Sequence, residues 1–576
     1  MNKNITFLFF YFFLISIVQA QSIDWLTQFG GTSEDVLFSV AIDNDGNTYS
    51  VGYYAETSTF NETELNALGY FNSFITKTDA TGNIIWAKSL GQPDDDDIDV
   101  YHSVITKSIS VDADGNVIVA GYFDAGEFDA DPGEGTHLLS SDSYEMFVLK
   151  LDTNGNFIWA NSFGSSEDGF ENVSDIGVDA NGDIYLTGYF QNSISMIHAA
   201  GTLSITSNGF SDVFVIKYTS DGYFSWMKNM GGTEGDLGMN IDVTSTGDVY
   251  VTGRYEGIAT FYTPIFMGSP VQLSTTDGYK GTFALKLDAY GEFKNVVKVG
   301  EAESESIGTS IAVDTNGYAY VTGYYGGILT ANEDTAEEIV IDSNNNYESY
   351  IAKVDFTNQN VTWIKEIDGE TDSSFGFNVD LDSNNNIYVV GFYSETLTAG
   401  SFNLTKKTPY ALESYLISMD DSGEFLGAYQ FGGVNAADSQ VVVIDKNDNI
   451  ILAGSFRETV DISPYSSENL EITSLGFRDN YILSTKINNV LDITDNLFVN
   501  GLKIYPNPSE EIVYISSDID INGLNYTVYD ISGKSILRGI IKESKEININ
   551  HLKSGLYFLQ IKNTDNSTQT LKISKR

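Results

Sequence analysis

One segment recurs seven times along this chain of 576 residues, and no other feature restricts its fold as strongly. The copies read AIDNDGNTYSVGYY, SVDADGNVIVAGYF, GVDANGDIYLTGYF, DVTSTGDVYVTGRY, AVDTNGYAYVTGYY, DLDSNNNIYVVGFY and VIDKNDNIILAGSF. Their late glycines fall at Gly52, Gly121, Gly188, Gly253, Gly323, Gly391 and Gly454, 63 to 70 residues apart. A second segment keeps the same beat, from FITKTD and FVLKLD through to YILSTK. A third, such as GNIIWAKSLG, carries Trp86, Trp159, Trp226 and Trp363. Apolar and polar residues alternate through these elements, as half-buried strands require. Each repeat therefore reads as four short antiparallel strands; in the first, one ends at Asp43 and the others cover 48–54, 74–79 and 84–90.

Seven four-stranded sheets predict an all-β, seven-bladed β-propeller. The seventh repeat stops after 481–486 with no Trp strand of its own, whereas IDWLTQFGG near the start carries Trp25 in that position. The N-terminal strand is expected to complete the last blade and so remove an exposed edge.

Composition narrows the function. Aromatics make up 13% of the chain, with 53 Gly, which suits β-structure with many tight turns. The formal net charge of -50 repels nucleic acid and anionic membranes. With no cysteine, disulfides, thiolate metal sites and cysteine nucleophiles are excluded. Residues 1–20 carry Lys3, an apolar run from Phe7 to Val18 and then Ala20, the pattern of a secretory signal peptide. No later segment has eighteen continuous apolar residues, so no transmembrane segment is expected in the mature chain.

Catalytic constellations are missing from the sequence: four His, no HExxH and no G-x-S-x-G, so no catalytic residue is assigned. The turns DNDGN (Asp43, Asp45), DADGN (Asp112, Asp114) and DANGD (Asp179, Asp183) resemble the start of a calcium loop. No Glu closes the loop, and Asp or Asn before Gly also makes a tight turn, which is the preferred reading; no cofactor is expected. The run Asp94–Asp97 with Asp99 is the densest acidic patch. Loops joining strands two and three are long and differ between copies, which marks them for recognition as readily as for plain connection. Acidic between-blade loops such as FGGTSED and MGGTEGD are expected to ring the channel mouth. The aromatic pairs Tyr53-Tyr54, Tyr122-Phe123, Tyr189-Phe190 and Tyr324-Tyr325 are expected to fill the space between blades.

These repeats resemble the bacterial β-propeller repeat family known as SBBP, with W-x-x-x-F-G-G, V-D-x-x-G-N-x-Y-V-T-G and F-V-x-K-x-D. The likeness runs over 23–487 and drifts where Asn295 and Gly427 replace Trp and Thr244 replaces Asp. The family is defined by fold and implies no single activity. After a join at 488–502 the texture changes: residues 503–576 carry a charge of +2 and the preceding chain -52. Alternating runs there read as a small β-sandwich. Tyr505-Pro506-Asn507-Pro508, a turn ending at Gly533, Gly555-Leu556-Tyr557 and a lysine-bearing last strand resemble a type IX secretion (Por) C-terminal sorting domain, type A. That resemblance implies Sec export, then outer-membrane translocation by the type IX machinery, and a secreted or surface location. The last strand is expected to offer its edge to a receptor.

The expected organisation is thus signal peptide 1–20, propeller 21–487, linker 488–502 and sorting domain 503–576. The functional expectation is a binding or adhesion module for polysaccharide or a surface protein. A glycosidase or lyase using carboxylates or Tyr at the channel mouth is the alternative.

Overall fold

The computed structural model describes residues 23–94, 102–164, 170–198, 201–262, 269–369, 373–406, 412–463, 470–486, 503–517, 521–530, 534–562 and 568–576. Among them there is no helix, and the strands pair antiparallel. The chain divides into two compact units, Met1–Asn488 and Asn489–Arg576.

In the first unit each sequence repeat pairs its strands in chain order. The first contributes Asp35–Ile42, Thr48–Tyr54, Asn72–Thr78 and Ile84–Leu90, and the second Val104–Val111, Val117–Phe123, Glu145–Leu151 and Phe157–Phe163. Later repeats open with Glu171–Val178, Leu237–Val243, Glu305–Val313 and Ser374–Leu381. The strand Phe425–Ile444 pairs at its start with Glu413–Met419 and at its end with Ile450–Asp461, so it joins the sixth and seventh repeats. Asp479–Thr485 then lies between Ile450–Asp461 and the N-terminal strand Ile23–Gly31, with Leu26 opposite Leu483.

The opening strands pack on one another in order, and the end of Phe425–Ile444 packs on Asp35–Ile42. Hydrophobic clusters form between neighbouring repeats. Tyr49, Val51 and Ile75 meet Val104, Val117 and Phe147, while Phe29, Leu37 and Phe74 meet Ile451 and Ile482 from the other end of the chain. Each such buried side chain stabilises by roughly 1.5–3 kcal/mol.

The opening strands of the first six repeats carry a β-bulge at the same place, between Leu37 and Ser39, Thr106 and Ser108, Val173 and Asp175, Gly238 and Asn240, Gly308 and Ser310, and Gly376 and Asn378, whereas in the seventh Gln440 and Val441 pair in register with Gly454 and Ala453. The bulge explains the recurrent glycine. A Cβ at Gly52 would lie 1.9 Å from the Val36 carbonyl oxygen, and one at Gly121 2.0 Å from that of Ile105. No side chain fits opposite a bulge that tight.

Neighbouring sheets are clasped at the end where strands three and four turn. Trp86 Nε1 and Lys77 Nζ both donate to the Thr153 carbonyl of the next repeat. Trp159 and Lys150 do the same at Ser220, and Trp226 and Lys217 at Ala289. Where Asn295 replaces Trp, its amide donates to the Phe356 carbonyl at 2.6 Å, so the donor survives the drift. Trp25 packs on Gly82 as Trp159 packs on Gly222, and Thr27 Oγ1 donates to the Gly82 carbonyl.

The long loops between strands two and three are mostly further hairpins. Thr57–Phe60 pairs with Thr63–Asn66, and Ser193–His198 with Gly201–Thr206. These hairpins strap back onto the preceding repeat: Ser58 pairs with Gly31, Ser195 with Gly164, Thr260 with Gly231 and Thr398 with Asp368. Their inward residues, among them Phe60, Phe128, Ile194 and Leu397, are buried. Of the two roles left open for these loops, recognition and plain connection, the burial of each hairpin's apolar face on the core fits the second.

In the second unit, Lys503–Tyr505, Ile512–Ser516 and Glu546–Asn548 form one sheet. Ser535–Ile540, Asn525–Asp530, Gly555–Lys562 and Thr568–Lys575 form another. Val513, Ile515, Val528, Ile547, Leu559 and Ile561 share one core.

Candidate functional site

The opening strands of all seven repeats line one cavity of about 660 Å³. Its wall holds a belt of side-chain acceptors just after the bulge. Ser39, Ser108, Asp175, Asn240, Ser310 and Asn378 each accept from a backbone N–H of the next repeat: Ile109, Ile176, Ile241, Ile311, Val379 and Val442. The seventh residue of the series is Val441, which has no acceptor to give. Two residues further along, Asp242 accepts from Val313 N–H and Asp380 from Ile444 N–H. Burial pushes Asp175 and Asp242 up to about 6 and Asp380 up to about 7, against the pull of these donors. The three carboxyls are thus tied into the sheet rather than free in the cavity.

The bulged residues form the next level: Phe38, Lys107, Ser174, Met239, Thr309 and Phe377, all half-buried or exposed and all lining the cavity. A bulge re-aims a side chain, and here six side chains of four kinds, aromatic, cationic, hydroxyl and thioether, line the cavity. Lys107 Nζ sits 3.8 Å from the centre of the Phe38 ring and 6.0 Å from that of Tyr122. Phe38 also meets Tyr53 at 5.6 Å, and Phe377 meets Phe392 at 5.1 Å. Burial lowers Lys107 to about 8. Sequence reading passed over this level. Its signal was the column five residues before the turn position, where the copies read Phe, Lys, Ser, Met, Thr, Phe and Gln, while two columns later every copy reads Val or Ile.

The residues singled out for calcium sit at the far end of the same strands. Asp43 Oδ1 accepts from the N–H groups of Asp45 and Asn47, and its Oδ2 from Asn47 Nδ2 and the Tyr49 hydroxyl. Burial raises Asp43, but those donors outweigh it and hold the carboxyl below its usual range. Asp112 repeats the arrangement and adds Lys150 Nζ at 2.9 Å; Asp179 takes Asn181, Asp183 and Tyr185. Asp183 binds Ser220 N–H and Lys217, while Asp45 and Asp114 are exposed. Turn chemistry fills these carboxylates with N–H and O–H donors, leaving no cage of oxygens. Among the described residues no group of three or more His, Asp or Glu converges for a metal.

Two further expectations change. The between-blade acids Asp35 and Asp236 are buried, not solvated at the mouth. Each accepts from the glycine N–H four residues back, Gly31 at 2.9 Å and Gly232 at 2.6 Å, and burial pushes both up to about 7. The aromatic pairs split: Tyr54, Phe123, Phe190 and Tyr325 are buried, whereas Tyr53, Tyr122, Tyr189 and Tyr324 are half-buried, with Tyr53 on the cavity. Strand alternation sends the two members to opposite faces. Of the acidic patch, 95–99 lies outside the described residues, and Asp94 accepts from His102 N–H. A separate cleft of about 930 Å³ lies beside the hairpin Ile258–Tyr262, where Tyr262 stacks on Phe293 at 5.2 Å.

In the second unit, Asn507 of the Y-P-N-P run grips the last strand: its Nδ2 donates to the Lys572 carbonyl and its Oδ1 accepts from Ser574 N–H, each at 2.7 Å. Pro506 and Pro508 flank it, both after cis peptide bonds. Ser509 N–H takes the Ser574 carbonyl, so the free edge expected of the last strand is occupied at this point. Tyr505 stacks on Tyr514, and the Tyr557 hydroxyl, just after Gly555, donates to the Lys553 carbonyl. Gly533 lies outside the described residues. A family model described as a secretion system C-terminal sorting domain matches residues 503–576, and one described as a beta-propeller repeat matches 299–324.

The chain carries a β-propeller repeat and a type IX secretion C-terminal sorting domain. The sorting domain marks this propeller-repeat protein for export through type IX secretion to the cell surface or beyond. Among curated proteins it is similar to an uncharacterized WD repeat-containing protein of Acanthamoeba polyphaga mimivirus, 22% identical over 512 residues. That match takes in 75% of this chain and 36% of the viral protein, so the chain spans about a third of that relative's length. It is also 30% identical over 115 residues to the regulatory protein FlaEY of Caulobacter vibrioides, covering 20% of this chain and 12% of that protein. Among solved structures it resembles the Dos1 propeller at 9% identity and a TM-score of 0.40, covering 81% of this chain and 95% of that one. It also resembles PorZ, a surface component of the type IX secretion system of Porphyromonas gingivalis, at 11% identity and a TM-score of 0.21, over 94% of this chain and 81% of that one.

Proposed function

We propose that the propeller-repeat protein is an exported binding module whose seven blades form a ring closed by Ile23–Gly31, with its ligand site at the bulge-level mouth of the central cavity. On this reading residues 1–20 are the signal peptide, 21–487 the ring, 488–502 a linker and 503–576 the sorting domain. Closure is supported by the pairing of Ile23–Gly31 with Asp479–Thr485 and by the cluster that joins Phe29 and Phe74 to Ile482. Deleting 21–31 should lower the melting temperature of the whole ring; a truncated protein that melts as the full chain does would end the closure reading.

The observation that carries the binding role is the contrast at the bulge. Turn aspartates, recurrent glycines and clasping lysines repeat because the fold needs them, whereas Phe38, Lys107, Ser174 and Met239 share one position and no chemistry. Side chains that differ between copies and enter one cavity are the ones a ligand there would read. Aromatic faces beside hydroxyls favour carbohydrate as the ligand class. The alternative, a glycosidase or lyase, is weakened by the hydrogen bonds that hold Asp175, Asp242 and Asp380 in the wall. A polysaccharide panel against the full mature chain, with calcium and with chelator, tests the reading. Saturable binding unaffected by chelator is expected, and product analysis on the bound glycan separates lectin from enzyme. No binding in either condition would redirect the search to surface proteins.

A further inference from the structure

Resting on the binding reading above, we infer that the mouth takes an acidic glycan, engaging the carboxylate of a uronic acid residue through Lys107 while Phe38 and Tyr53 pack on the sugar ring. The other cations at this end are already matched: Arg254 and Lys280 each lie 3.1 Å from Glu305, and Arg478 lies 3.6 Å from Glu34. Lys107 differs. Among the described residues no carboxylate lies within ion-pair distance of it, and its ammonium rests on the Phe38 ring. A half-buried ammonium facing only aromatic rings has lost water without gaining a full counter-charge, so an incoming carboxylate finds a ready partner.

The surroundings fit the rest of such a ligand. Phe38 and Tyr53, 5.6 Å apart, give adjoining aromatic faces for the C–H face of a pyranose. Ser174 and Thr309 line the same cavity; the Ser174 hydroxyl accepts from Asn172 Nδ2 and keeps its proton to donate, while that of Thr309 donates to the Gly376 carbonyl and keeps a lone pair to accept. The chain's net charge of -50 does not cancel this contact, because at physiological salt charges beyond about 8 Å are largely screened. What matters is the local arrangement, and only the second repeat puts a cation at the bulge. The site is therefore single, despite the seven-fold repeat.

The test is calorimetric titration of the full mature chain with oligomers of galacturonate, glucuronate and mannuronate, their methyl esters, and neutral oligosaccharides of matched length. At least one free acid should bind, its ester should bind about tenfold or more weakly, and Lys107→Met should lose a similar factor. Lys107→Arg should keep most of the affinity, and Lys365→Met, away from the cavity, should change nothing. Equal binding of acid and ester, or full affinity in Lys107→Met with an unchanged melting temperature, overturns the inference. Neutral oligosaccharides bound and uronates ignored would also overturn it, while leaving the carbohydrate-binding reading in place. No saccharide bound at all would remove both.

Discussion

The two ends of the opening strands, about 25 Å apart at eight residues of 3.3 Å each, use the same residue types to opposite effect. At the turn end, Asp43, Asp112 and Asp179 stand in equivalent places, collect N–H and O–H donors, and do the same work in each copy. Nearby Asp79, at an outer turn, is held down to about 2 by such donors despite what burial it has. Toward the mouth, Asp35 and Asp236 sit inside the protein with fewer donors and are pushed up to about 7. Between these lies the bulge, where the copies stop agreeing. The comparison teaches that repetition reports what the fold requires, and that the bulge, where repetition lapses inside a cavity, is where the proposed binding role has to be tested.

The largest effect should come from breaking the turn end. Asp112→Ala removes the carboxylate from two turn N–H groups and from Lys150, whose ammonium lies 2.9 Å away on a side chain only 6% exposed. A loss of about 3–5 kcal/mol by denaturant titration at pH 7 is expected, since a buried cation is left unpaired. A loss under about 1 kcal/mol would mean these turns are incidental.

Mouth-end acids should respond in the other direction. Asp236 is raised from 3.8 to about 7, so the folded chain keeps a proton that the unfolded chain releases. Its contribution is complete below about pH 4 and is lost as pH rises through 7. Asp236→Asn, which imitates the protonated acid, should therefore stabilise the fold at pH 8 by an amount on the order of 4 kcal/mol, read as a higher melting temperature, and leave it unchanged near pH 4. The turn aspartates carry the opposite sign: with Asp79 at about 2, their stabilisation is present above pH 4 and disappears as pH falls toward 2. An Asp236→Asn variant that is less stable than wild type at pH 8 would show that the buried carboxylate is ionised and needed.

Much of this architecture was legible in the sequence because strands, tight turns and close glycines leave marks at fixed spacing. The Trp strand, the lysine of F-x-x-K and the turn Asp could be placed before any coordinate. What the sequence hid were pairings between segments that do not repeat. The hairpin straps look like variable loops because only their inward residues, such as Phe60 and Leu397, are constrained, and those change identity with local space. The acids of FGGTSED read as solvated because charge suggests exposure, and nothing local reveals that Gly31 N–H waits for Asp35. The terminal strand read as an open edge because Asn507 and Ser574 are 67 residues apart. The candidate site was hidden for a related reason: Lys107 and Phe38 come from different repeats, and only the bulge turns both into one cavity.

Calcium gives the smallest effect. Adding millimolar calcium or chelator should move the melting temperature by less than about 1 °C, since the turn carboxylates already hold N–H and O–H donors that a cation would have to displace. A shift of several degrees would return the turn aspartates to consideration as ligands.

The most direct test of the central claim is hydrogen–deuterium exchange on the full mature chain with and without saturating glycan. The account predicts new protection at the mouth, in peptides spanning 36–42, 105–111 and 375–381, and none at the turns 43–47, 112–116 and 179–183. Protection confined to the turns, or to the cleft around Tyr262 and Phe293, would contradict it.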